Sequence, residues 1–112
     1  MKKLLLMVVI LLTTQWTTAL SFPIEKVEIK TNAVCETCSN NLFNALMTSK
    51  GVQDVKINLE KSIVEVYYNS KKINAAQIRE VISNVGYDAD DVKANAKARA
   101  TLDECCRAPE KH

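Results

Sequence analysis

Apolar residues alternate with polar ones in four stretches of the chain, and this period of two predicts β-strands. In the first stretch Ile24, Val27 and Ile29 stand among charged residues, with one slip of register. The second and third are rich in β-branched residues, whereas the fourth is acidic and is expected at a sheet edge. The four predicted strands are IEKVEIKT (24–31), VQDVKINL (52–59), SIVEVYY (62–68) and YDADDVKA (87–94).

Two further stretches repeat apolar residues at the spacing of an α-helix. The first helix is predicted to begin near Cys38 and to end at Lys50-Gly51, where glycine can take the left-handed cap conformation. The second is introduced by Asn74 and Gln77, which fit a capping pair, and is stopped by Gly86. The apolar positions are Cys38, Leu42, Ala45 and Leu46 in the first helix and Ile78, Val81, Ile82 and Val85 in the second.

The order β-α-β-β-α-β predicts an α+β fold of the ferredoxin-like type. We expect a four-stranded antiparallel sheet with both helices on one face, a two-layer core that a chain of this length can fill. The residues from Ala94 to Leu102 have good helix propensity and predict a short C-terminal helix.

The N-terminal residues have the pattern of a secretory signal. Two lysines precede the apolar run from Leu4 to Leu12, and small polar residues follow it. This run is too short to cross a hydrocarbon core, which needs ~20 residues, although an anchor that also uses Trp16 remains an alternative. We therefore expect a signal peptide at 1–21, a folded domain at 22–93 and a tail at 94–112, in a protein exported to the periplasm or the extracellular space.

Charge and composition exclude two classes of function. Without Lys2 and Lys3 the basic residues fall from 15 to 13, which equals the 13 acidic residues, so no electrostatic footprint for nucleic acid remains. The only histidine is the terminal His112, and the scattered carboxylates offer no acid–base pair. We expect a monomeric binding protein and not an enzyme.

The four cysteines form two close pairs, Cys35 with Cys38 and Cys105 with Cys106. In the first pair the second cysteine stands at the start of a helix, where the positive end of the helix dipole favours a thiolate. Two thiolates at this spacing suit a soft ion such as Cu(I) or Hg(II) in low coordination. A Cys-x-x-Cys motif also serves thiol–disulfide oxidoreductases, so a redox enzyme or sensor that uses Cys35 and Cys38 remains the alternative.

The block from Val27 to Val92 resembles the heavy-metal-associated domain, the family found in copper chaperones, metal-transporting ATPases and the periplasmic mercury-binding protein. The resemblance rests on CETC (35–38) after the first strand, on VGY (85–87) after the second helix and on the spacing between them. It implies that Cys35 and Cys38 bind a metal ion. It also implies that the ion is buffered, or passed by ligand exchange to a membrane metal transporter or another carrier.

The chain departs from this family just ahead of its first cysteine. Asn32-Ala33-Val34 stands where relatives commonly have Gly-Met-x, so Ala33 replaces a packing methionine and predicts a looser loop. Zinc-preferring relatives often have an acidic residue in place of Val34, which favours Cu(I) here, with Hg(II), Zn(II) and Cd(II) as alternatives. Tyr87 matches an aromatic position near the metal loop, where it would serve either as a lid or hydrogen-bond donor near the thiolates or as ordinary packing.

The tail is long enough to bring its cysteines back to the first pair. A helix from Ala94 to Leu102 covers ~13 Å and three extended residues add ~10 Å, whereas the fourth strand leads ~17–20 Å away. Three roles stay open for Cys105 and Cys106. They are auxiliary ligands that would also admit zinc or cadmium, a pair that receives the transferred ion, or disulfide partners of Cys35 or Cys38.

Overall fold

The computed structural model describes residues 23–33 and 35–107 of the chain. The predicted signal peptide at 1–21 lies outside these residues, as do the last five residues of the predicted tail. No helix within the described ranges is both long and apolar enough to cross a membrane.

Three strands form an antiparallel sheet in the order β1-β3-β2. The pairing places Val66 of the central strand opposite Val27 on one side and Val55 on the other, so apolar side chains line up across one face. The strands are β1 (Ile24–Lys30), β2 (Val52–Asn58) and β3 (Ile63–Asn69).

Two helices cover this apolar face. They are α1 (Glu36–Met47) and α2 (Ala75–Val85), as their helical periods predict. The predicted capping pair is confirmed, because Asn74 Oδ1 accepts from the Gln77 amide at 2.8 Å and Gln77 Oε1 accepts from the Asn74 amide at 3.0 Å. The core joins buried residues of both helices and the sheet: Leu42, Leu46, Ile78, Ile82, Ile29, Val55, Val64 and Val66.

The predicted fourth strand is wrong for the described structure. Residues 87–94 form only a single bridge between Ala89 and Val92, around Asp90, whose φ of 54° is left-handed. The segment meets the end of β1 at one residue, where the Asp90 amide donates to Lys30 O at 2.8 Å and Asp90 Oδ1 accepts from the Lys30 amide at 2.9 Å. Aspartate is depleted in strands, and here its side chain accepts from the Lys30 amide, which would otherwise donate to the carbonyl of a paired strand.

The predicted C-terminal helix is present but is divided in two. The helices are α3 (Ala96–Ala100) and α4 (Glu104–Arg107), in place of one helix from Ala94 to Leu102. Asn95 delays the start, because its Oδ1 accepts from the Ala98 amide at 3.1 Å as an N-cap. Thr101 closes α3, since its amide and its hydroxyl both donate to Ala98 O.

Candidate metal centre

The start of α1 positions the first two cysteines. Cys35 is the N-cap residue in an extended conformation, and its carbonyl accepts from the Ser39 amide at 3.1 Å. Cys38 lies in the first turn and is completely buried, whereas Cys35 is partly exposed. Their Sγ atoms are 3.1 Å apart, so the Cys-x-x-Cys spacing brings the two sulfur atoms to the same side of the turn, as predicted.

The tail is held against the end of α2 before it reaches the cysteines. The Asn95 amide donates to Ser83 O at 2.9 Å, and the Ser83 hydroxyl donates to Lys93 O at 2.6 Å. After these two hydrogen bonds the tail packs directly against Gly86, where there is no room for a side chain. An ideal Cβ there would lie 2.9 Å from both the Arg99 amide nitrogen and Leu102 Cδ1. Gly86 of the VGY sequence thus permits the close packing of the tail against the end of α2.

The docked tail brings the second cysteine pair to the first. Cys38 and Cys106 form a disulfide with a Cα–Cα distance of 5.8 Å, and both residues are completely buried. Cys35 and Cys105 remain free thiols with their Sγ atoms 2.6 Å apart, and Cys105 is exposed. Cys35 Sγ is also 3.5 Å from Cys106 Sγ. The sulfur atoms of all four cysteines of the predicted site therefore lie close together. Of the three roles predicted for Cys105 and Cys106, this structure displays a disulfide, between Cys106 and Cys38.

The sulfur cluster is slightly more compact than a four-thiolate metal site. The Sγ atoms of Cys35, Cys105 and Cys106 lie within 4.8 Å of one another. Four of the sulfur–sulfur separations fall between 2.6 and 3.9 Å. Four sulfurs around a tetrahedral ion at a metal–sulfur distance of ~2.3 Å would be ~3.8 Å apart. Reduction of the Cys38–Cys106 bond and an outward shift of each sulfur by about 1 Å or less would make room for an ion.

The groups around Cys105 raise the pKa of its thiol in this oxidised arrangement. The hydrogen bond with Cys35 raises the pKa of the Cys105 thiol, and the Asp103 carboxylate adds to this effect. A hydrogen bond with Thr37 acts in the opposite direction on the same pKa.

Tyr87 lies in the core and not on the surface of the site. Its side chain is completely buried, and its hydroxyl accepts from Asn41 Nδ2 at 3.1 Å. Burial raises the pKa of Tyr87, the Asn41 bond opposes this, and the nearby Cys35 and Cys105 raise the pKa further. These contacts agree with the packing interpretation of the aromatic position.

Two asparagines support the site and were missed by the sequence interpretation. Asn32 Oδ1 accepts from the Asp88 amide at 2.9 Å, which ties the loop before the cysteines to the segment after Tyr87. Asn41 anchors Tyr87 from α1. The only signal for Asn32 was its position in a loop, where asparagine often bonds a backbone amide.

We expect Gly86→Ala to lower the free energy of unfolding by ~1–2 kcal/mol, because its φ of 115° is left-handed. The new methyl group should also displace the tail, so Cys106 of the reduced protein should be alkylated faster by iodoacetamide. Gly51→Ala is the matched control, since Gly51 has a φ of 95° but lies against Lys72 and Ile73 instead of the tail. Equal alkylation rates in the two variants would contradict the tail contact.

Comparison with known proteins identifies the family. The model of the heavy-metal-associated domain matches residues 28–88, more than half of the chain. The copper chaperone CopZ of Staphylococcus epidermidis is 37% identical over 54 residues, which are 48% of this chain and 79% of the chaperone. A copper-exporting P-type ATPase of the same species is 32% identical over 78 residues, which are 69% of this chain and 10% of the ATPase. This chain thus spans a tenth of the length of that relative.

The solved structure of oxidised MerP from Ralstonia metallidurans has the same fold. It superposes with a TM-score of 0.57 over 60% of this chain and 94% of that chain, at 18% sequence identity. The described strands and helices follow the ferredoxin-like α+β arrangement up to the end of α2. The chain belongs to the heavy-metal-associated domain family.

Proposed function

We propose that the reduced protein is an exported carrier of one soft metal ion, with Cu(I) as the preferred cargo. Cys35 and Cys38 are its primary ligands, and Cys105 and Cys106 are auxiliary ligands from the tail. The observation that carries the proposal is the convergence of four sulfur atoms at the start of α1, where Cys35 Sγ lies 3.1 Å from Cys38 Sγ, 2.6 Å from Cys105 Sγ and 3.5 Å from Cys106 Sγ.

The donor set selects the class of ion. Thiolates bind Cu(I) and other thiophilic ions in preference to hard ions such as magnesium or calcium. The relatives with copper in their names support Cu(I) as the cargo. Four sulfurs also permit Zn(II) or Cd(II) in a tetrahedral site, and Hg(II) in lower coordination, so these ions are the competitors to be tested.

Metal binding by all four cysteines requires the reduced state of the protein. A sulfur in a disulfide has no thiolate charge to offer, so the Cys38–Cys106 bond removes one ligand from each cysteine pair. Cys35 and Cys105 alone would leave a two-sulfur site at the surface.

The exposure of the four cysteines supports a route of transfer through Cys35 and Cys105. Cys35 is partly exposed and Cys105 is exposed, whereas Cys38 and Cys106 are buried. Thiolates of a partner therefore approach the ion from the side of Cys35 and Cys105 and replace these two ligands first. A membrane metal transporter or another carrier with a thiolate pair fits this role, and the likeness to a module of an ATPase supports the first.

Exchange of isotopically labelled copper tests the transfer step. A labelled, copper-loaded sample of the reduced protein is mixed with a copper-free sample of the same protein that is distinguishable by mass. Native mass spectrometry should show the label on both populations within minutes. A label that stays on the original molecules until they are unfolded would identify a storage site and contradict a carrier.

Export rests on the apolar run from Leu4 to Leu12 and needs its own experiment. Expression of the full chain in a bacterium, followed by separation of the compartments, should recover it outside the cytoplasm without residues 1–21. An intact chain in the soluble cytoplasmic fraction would contradict export but would leave the metal site untouched.

A further inference from the structure

We infer that Cys35 is the exchange thiol through which the buried Cys38–Cys106 disulfide opens and forms. Thiol–disulfide exchange at Cys35 would then control when the site can accept metal. This control of metal binding rests on the proposed function, whereas the exchange reaction is independent of it.

Access to the disulfide is the first part of the argument. Cys38 and Cys106 both have no exposed surface, so a thiol in solution has no direct approach to either sulfur. Thiol–disulfide exchange needs such an approach, because the attacking sulfur must reach a sulfur of the bond that breaks. A buried disulfide of this kind is opened either by unfolding or by a thiol already inside the site.

Cys35 is placed to be that internal thiol. Its Sγ lies 3.1 Å from Cys38 Sγ and 3.5 Å from Cys106 Sγ, in contact with both ends of the bond. It is also partly exposed, so it connects the buried disulfide to solvent. The other free thiol is less suited, because attack of Cys105 on Cys106 would form a strained disulfide between adjacent residues.

The exchange conserves electrons and needs no oxidant. The Cys35 thiolate attacks Cys38 Sγ, the Cys35–Cys38 bond forms, and the Cys38–Cys106 bond breaks. Cys106 leaves as a thiolate and takes up one proton from solvent, which balances the proton that Cys35 released to solvent. The result is an isomer in which the disulfide includes a partly exposed sulfur.

Reduction then follows with two molecules of a small thiol such as glutathione. The first attacks Cys35 Sγ to give a mixed disulfide and releases Cys38, and the second frees Cys35 and leaves as glutathione disulfide. All four cysteines are then thiols, as the metal site requires. With glutathione disulfide as the oxidant the same steps run in reverse and return the bond to Cys38 and Cys106.

The test follows the opening of the disulfide in the full, metal-free, oxidised protein. Peptide mapping first establishes the Cys38–Cys106 bond. Reduced glutathione is then added, samples are quenched with iodoacetamide, and mass spectrometry counts the thiols gained with time. Wild type is compared with Cys35→Ser and with Cys105→Ser, a matched control that removes the other free thiol and leaves the same disulfide.

Cys35→Ser should slow opening by at least ~10-fold, and Cys105→Ser should change it by less than ~2-fold, since only Cys35 relays the exchange. In denaturing urea the three proteins should be reduced at the same rate, which shows that the difference comes from burial in the fold. Opening of Cys35→Ser at the wild-type rate, or a different disulfide in the oxidised wild type, would overturn the inference.

A separate titration of the reduced wild type with Cu(I) distinguishes this inference from the proposed function. If copper binds but Cys35→Ser opens at the wild-type rate, the exchange role is wrong and the carrier stands. If Cys35→Ser is slow but no copper binds, the carrier is wrong and the exchange role stands.

Discussion

Cys38→Ser should weaken the binding of Cu(I) by the reduced protein by more than ~100-fold, because even residues that merely support a metal ligand change affinity by 10–100-fold. The loss is large because Cys38 is the buried ligand at the first turn of α1, and a hydroxyl is a poor ligand for a soft ion. Competition with a chromophoric Cu(I) chelator under reducing conditions measures the affinity.

Cys105→Ser is the control for this prediction, because it removes an auxiliary ligand and should weaken Cu(I) binding much less than Cys38→Ser does. Cys105 is exposed and comes from the tail, so its removal should weaken binding by no more than ~10-fold, about 1.4 kcal/mol. An unchanged affinity in Cys38→Ser would show that copper binds elsewhere and would exclude the Cys-x-x-Cys ligand pair.

Cys106→Ser should lower the free energy of unfolding of the oxidised protein by about 4 kcal/mol, because the lost disulfide closes a long loop of the unfolded chain. The two bonded cysteines are 68 residues apart in sequence. Urea unfolding of oxidised wild type and variant gives the difference, and a reducing agent should remove most of it, because wild type then loses the same bond.

Cys105→Ser is again the matched control, at the adjacent position on α4. It leaves the Cys38–Cys106 bond intact and should change the stability of the oxidised protein by less than ~0.5 kcal/mol. Equal stability of the oxidised Cys106 and Cys105 variants would contradict the disulfide.

The regular elements were predictable because their signals are local. The capping pair of Asn74 and Gln77 fixes the start of α2 from residues three apart, and apolar spacing fixes its buried face. Alternation gave β1, β2 and β3 within a residue or two. The convergence of the cysteines was anticipated from the length of the tail, although that argument used a fourth strand and one unbroken helix, neither of which the described residues form.

The parts that failed depend on contacts between distant residues. Residues 87–94 alternate weakly between apolar and acidic residues, but Asp90 bonds the backbone of Lys30 instead of continuing a ladder, and this contact has no signal in the local sequence. The packing of the tail against Gly86 and the hydrogen bond from Ser83 to Lys93 likewise have no signal in the local sequence. The choice of Cys38 over Cys35 as the disulfide partner follows from the first turn of α1, which directs Cys38 inward.

Native mass spectrometry of the reduced protein, combined with alkylation, tests the four-sulfur carrier site most directly. One equivalent of Cu(I) should give a single ion per chain and should protect Cys35, Cys38, Cys105 and Cys106 together from iodoacetamide. Protection of Cys35 and Cys38 alone would remove the tail from the site. A reduced protein that takes up no copper, zinc or mercury, with all four cysteines freely alkylated, would contradict the metal carrier itself.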